Sequence, residues 1–171
     1  MQMVKKTFLL LLFFWMALLV FMPKEEIYFR LEKELTKQEI EINESAVEET
    51  LTGLVLKDPV IYVKGIKVAT ADQITFFTVL FYTKITVSGV QVDESLKNMI
   101  PERVETLVLT HTVVDPIHIT LFAKGSFGTV DGSISLKERT VHIDFTETKE
   151  ISTIKSSLKK GEKGWYYETA F

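Results

Sequence analysis

The chain has 171 residues, 46% of them hydrophobic, with 20 basic against 23 acidic side chains, a formal net charge of -3 and no cysteine. That composition excludes a disulfide scaffold. It also argues against nucleic acid as a partner, since no basic cluster lies outside 155–163. Without its apolar start the chain keeps roughly 145 residues, one ordinary domain with room for a core.

The first element is Thr7 to Met22, TFLLLLFFWMALLVFM, an uncharged run preceded by Lys5 and Lys6 and closed by Pro23 and Lys24. As a helix it spans roughly 24 Å against a hydrocarbon core of about 30 Å, so length alone leaves both a signal anchor and a cleavable signal peptide open. Cleavage needs small residues, and Leu19-Val20-Phe21-Met22-Pro23 offers none. Residues 1–23 therefore read as a cytoplasmic start and an uncleaved transmembrane anchor, with Phe8, Leu12, Phe14, Trp15, Leu19 and Phe21 facing lipid and the lysines snorkelling. Lys5 and Lys6 place the N-terminus in the cytoplasm and residues 24–171 outside it.

Pro23-Lys24-Glu25-Glu26 reads as a helix start, with proline in the first turn and acids at the positive end of the dipole. Ile27, Leu31 and Leu35 form one stripe, predicting a juxtamembrane helix over 24–38 whose apolar side either caps a core or lies on a membrane or partner. From Glu39 the period becomes two. Leu51 to Leu56 and Val60 to Val68 read as short strands punctuated by Gly53, Asp58-Pro59 and Gly65. Ile74 to Val92 reads as one long strand, apolar on both faces near its middle and so covered on two sides, with a bulge or bend at Gly89 where the apolar parity flips.

Asp93-Glu94-Ser95 reads as the cap of a helical turn containing Leu96, Met99 and Ile100 and stopped by Pro101. Strands are then predicted at Val104 to Val114, Ile117 to Ala123, Thr129 to Leu136 and Thr140 to Phe145. Ile151, Ile154 and Leu158 predict a second amphipathic helix over about 149–160, stopped by Gly161, before a last edge strand from Trp165 to Phe171. The fold class is mainly β with flanking helices: an N-terminal transmembrane helix, then a curved, half-open antiparallel meander over 39–171.

Residues that carry chemistry are sparse. His142 and Asp144 share the polar face of a strand without a third ligand at a useful spacing, and His111 lies beside Leu107, Leu109 and Val113 as a hydrogen-bonded, half-buried histidine. Neither a G-x-S-x-G nucleophile nor a phosphate-loop spacing occurs; the glycines of Gly125 to Gly132 read as strand turns. The sequence points to no enzyme, no metal and no cofactor.

Phe21-Met22-Pro23-Lys24-Glu25-Glu26, the run Val60 to Val92, and the glycine-spaced segment Ala123 to Leu136 together resemble the type II secretion system protein N family and the related AsmA-like envelope proteins. The resemblance implies a non-enzymatic, single-pass bacterial inner-membrane protein with a periplasmic sheet, serving a secretion or envelope-assembly machine. Two modes of action follow. An edge strand with Trp165, Tyr166 and Tyr167 would pair with a partner protein. Alternatively, an apolar groove containing Phe76, Phe77, Leu80, Phe81, Leu109 and Phe122, with Leu107 and Leu121 in the neighbouring strands, would bind or guide lipid, unless the helices at 24–38 and 149–160 cover it and make it ordinary core.

Overall fold

The computed structural model describes residues 2–21, 23–79, 81–96, 103–149, 151–152, 154–161 and 164–171, the side chains of residues 2 and 18–21 excepted. Two α-helices, α1 (Gln2–Phe21) and α2 (Lys24–Lys37), precede a mainly β domain. Among the described residues no helix is long and apolar enough to cross a membrane.

The strands are β1 (Ile40–Asn43), β2 (Ala46–Thr50), β3 (Gly53–Lys57), β4 (Val60–Val63), β5 (Ile66–Thr70), β6 (Gln73–Val79), β7 (Tyr82–Val92), β8 (Arg103–Thr112), β9 (Asp115–Gly125), β10 (Gly128–Ser135), β11 (Thr140–Thr148), β12 (Lys159–Gly161) and β13 (Gly164–Ala170). They form one open antiparallel sheet in the order β1-β4-β5-β7-β8-β9-β10-β11-β13-β12, with β6, β3 and β2 branching from β7. Local chemistry explains the reversals. Lys64 and Gly65, at φ 54° and 73°, make the two-residue left-handed loop that suits the twist of a hairpin.

β7 is the hinge of the topology. It pairs with β6 from Tyr82 to Ser88 and with β5 at Gln91 and Val92. Gly89, at φ 65°, lies where one partner gives way to the other. The bend read at Gly89 thus marks a fork of the sheet. The long strand read over Ile74 to Val92 is two strands, because Val79 pairs with Tyr82 and the chain turns back there. Ile74 opposes Val87 and Phe76 opposes Ile85, so even positions of β6 share a face with odd positions of β7. What read as a strand apolar on both sides is a hairpin apolar on one.

α2 closes the forked end. Tyr28, 2% exposed, packs with Leu54, Leu56 and Ile74, and its hydroxyl donates to Glu44 Oε2 at 2.9 Å. Burial first, then that hydrogen bond and the negative charge of Glu44 and Glu32, push the Tyr28 phenol above its ordinary range. The stripe read on this helix is only part of its contact surface: Ile27 and Leu31 remain exposed beside the buried Tyr28. A second core joins Ala123, Phe127, Val130, Phe145 and Ile151 at the other end of the sheet.

The C-terminal amphipathic helix read over 149–160 is not formed. Among the described residues of that stretch there is one 3-10 turn, Lys155–Ser157, followed directly by β12. Ile151, Ile154 and Leu158 still pack on the second core, so burial of these three side chains does not need helical phase. The turn read after Asp93 is also a short 3-10 segment, Glu94–Leu96, with the Ser95 N–H donating to Asp93 Oδ1 at 3.1 Å. Met99, Ile100 and Pro101 lie outside the described residues.

Candidate binding face

Register assembles the site. Side chains opposite one another in antiparallel strands share a face, and the pairings trace one row through Leu54, Phe76, Ile85, Leu109, Leu121, Gly132, Ile143 and Tyr167. A parallel row two residues away runs through Leu56, Ile74, Val87, Leu107, Ala123, Val130 and Phe145. The two rows make a continuous apolar band. Its opposite face is polar: Thr75, Thr86, Val108, Phe122, Asp131, Asp144 and Tyr166 align there, as do Phe77, Lys84, Thr110, Thr120, Ser133, His142 and Glu168.

Cover over the band is uneven. Leu56, Ile74, Ala123, Val130 and Phe145 are buried, whereas Ile85, Leu109, Leu121, Ile143 and Tyr167 are half-buried. α2 shelters the β3–β6 end and the 151–158 segment shelters the β9–β11 end. A cavity of about 140 Å³ lies between α2 and the sheet, lined by Ile27, Tyr28, Leu31, Leu54 and Phe76. A larger groove of about 430 Å³ is lined by Leu107, Leu121, Phe127, Ile143, Phe145, Ile154, Leu158 and Tyr167. That volume lies within the range of about 300–1,000 Å³ typical of small-molecule sites.

The structure divides the six residues read as a groove. Phe76 and Leu109 lie on the apolar band; Phe77 and Phe122 point to the polar face; Phe81 sits in the β6–β7 reversal; Leu80 lies outside the described residues. Leu107 and Leu121, read beside Leu109 as groove residues, also lie on the band; the residues missed are Ile143 and Tyr167, whose alternation was visible but whose alignment with the preceding strands was not.

The edge reading is corrected as well. β13 is not the outermost strand, because β12 pairs with it from Gly164 to Tyr166 and covers Trp165 and Tyr166. The Phe171 N–H donates to the Arg139 carbonyl at 2.9 Å. By the alternation of antiparallel ladders, Tyr167 and Thr169 also direct their amides to β11, while Glu168 and Ala170 direct theirs outward.

Of the anchor residues, Phe8, Leu12 and Phe14 are exposed on α1, and Trp15 lies against Phe81 with ring centroids 6.2 Å apart. Leu19 and Phe21 fall outside the described side chains. The histidines have local partners: His111 Nε2 is 3.2 Å from the Pro116 carbonyl, His118 Nδ1 is 2.9 Å from Asp115, and His142 Nε2 is 3.3 Å from Asp144 while its ring stacks on Tyr166. Among the described residues no group of three or more His, Cys, Asp or Glu is arranged to hold a metal ion. Comparison with protein-family models, with curated proteins and with solved structures gave no match.

Proposed function

We propose that the protein is a non-enzymatic, single-pass inner-membrane protein whose periplasmic sheet holds the acyl part of a lipid within a secretion or envelope-assembly machine. The half-buried row Ile85, Leu109, Leu121, Ile143 and Tyr167 carries this reading. An apolar band left partly open between two small cores loses stability in water and gains it against an acyl chain, at roughly 25 cal/mol per Å² covered. The anchor belongs to the same reading: Phe8, Leu9, Leu10 and Phe13 of α1 are exposed, an arrangement suited to lipid. Lipid extracted with the purified full chain should fall when Leu121 is replaced by Lys, while circular dichroism stays that of a β protein. Unchanged lipid content would overturn the groove.

A second reading, pairing of a partner strand, is favoured by the outward amides of Glu168 and Ala170 beyond the end of β12. Ala170→Pro removes one of them without disturbing the bonds to β11. Pull-down of an envelope partner should then be lost; retention would count against this edge.

A further inference from the structure

The turns at one end of the sheet share a property that the groove does not explain. Leu51 lies in the β2–β3 turn, Phe81 in the β6–β7 reversal, Val113 and Val114 in the β8–β9 turn, and Leu136 opens the β10–β11 turn. They are 62%, 60%, 55%, 94% and 47% exposed, in that order. Backbone bonds tie the turns together: Thr78 N–H donates to the Thr52 carbonyl at 2.7 Å, Val113 N–H to Phe81 at 2.9 Å, and Leu136 N–H to Ile117 at 2.8 Å. At the opposite end the apolar turn residues Pro59, Ala71 and Phe127 are buried. Among the described residues, Leu96 there is half-buried and Ile66, beside the Lys64-Gly65 turn, is the one large apolar turn neighbour left exposed, so exposed apolar tips concentrate at the first end.

Two observations select what covers them. Trp15 of α1 packs against Phe81, and α1 continues from Trp15 to Phe21, so Phe81 stands about 9 Å back along the apolar helix from its end. Basic groups stand at the rim among acids: Lys24 lines the same cavity as Thr52 and Thr78, and Lys137 and Arg139 flank Glu138 just after Leu136, while Asp115 follows Val114 and Glu49 precedes Leu51. A lysine or arginine beside anionic headgroups contributes about 1 kcal/mol each.

We propose that this rim inserts into the lipid interface of the bilayer that holds α1, so that the apolar band opens onto acyl chains at its membrane end. The inference rests on the anchor-and-groove reading above and adds the route by which lipid reaches the face. Interfacial elements sink about 5–10 Å into the headgroup boundary, a depth that matches the position of Phe81 along α1.

The chain has no cysteine, so single sites can be labelled cleanly in all 171 residues. A polarity-sensitive fluorophore would be placed in turn on Val114→Cys, Leu136→Cys, Lys149→Cys at the far end of the sheet, and Leu12→Cys in α1. Each protein would be reconstituted into vesicles of phosphatidylethanolamine and phosphatidylglycerol carrying acyl-chain nitroxide quenchers. The proposal expects blue-shifted, quenched emission at Val114 and Leu136, quenching at Leu12, and none at Lys149. Quenching at Leu12 without quenching at the rim overturns the inserted rim and leaves the anchor standing. A blue shift at the rim without lipid quenching, the mark of a protein covering it, also overturns the proposal. Absence of quenching at every site overturns the rim and the anchor together.

Discussion

Tyr28 joins α2 to the sheet through two separable interactions, and substituting it shows which one holds the helix. Tyr28→Ala removes a ring that is 2% exposed and packed 6.4 Å, centroid to centroid, from Phe76. Buried aromatic-to-alanine changes cost about 3–5 kcal/mol. The neighbouring cavity of about 140 Å³ and the exposed Ile27 and Leu31 give this site room to relax, which places the loss near 3 kcal/mol, the low end of that range. Tyr28→Phe removes only the 2.9 Å bond to Glu44. Glu44 is half-buried and regains water, so the loss is about 1 kcal/mol. Urea unfolding of the full chain in detergent, followed by circular dichroism, separates the two. Equal losses for both variants would show that the hydrogen bond rather than ring burial docks α2. A loss under about 1 kcal/mol for Tyr28→Ala would show that α2 is not docked at all.

The raised phenol of Tyr28 also makes a pH signature. Above about pH 10 the unfolded chain releases this proton while the folded chain keeps it, so stability is intact below that pH and falls as pH rises past it. Tyr28→Phe should flatten that part of the curve, and an unchanged slope would refute the assignment. At Gly53 an added Cβ would overlap the Phe76 carbonyl, so Gly53→Ala should cost about 1–3 kcal/mol or more in the same unfolding assay. Gly65→Ala meets nothing within 4 Å and carries only the left-handed backbone cost of about 1–2 kcal/mol; a larger loss there than at Gly53 would contradict the packing. Ile151→Ala, in the segment that walls the groove, should lose about 2 kcal/mol and increase binding of a dye that seeks apolar surface; no change in either would detach that segment from the core.

Strand positions from Val104 to Phe145 were legible because alternation is regular and Asp115-Pro116 and Gly125 lie beside reversals; Asp131-Gly132, read as a turn, is instead the middle of β10, paired with β9 and β11. The β6–β7 hairpin was not, because no turn-forming residue marks the step between Val79 and Tyr82, and the register then joins even positions to odd. Phe77 and Phe122 went to the wrong face for the same reason: parity within one strand does not give pairing between strands. At Ile151, Ile154 and Leu158 a helical spacing was present without a helix. Three side chains can reach one apolar surface from an irregular segment, and the sheet supplied that surface through contacts distant in sequence.

The most direct measurement is the native mass spectrum of the full chain gently extracted from membranes, beside that of Leu121→Lys. The account expects a retained phospholipid or similar amphiphile on the natural chain and its loss from the variant, with both folded. A lipid-free natural chain carrying a stoichiometric protein companion would contradict the groove and make the sheet a scaffold for that companion.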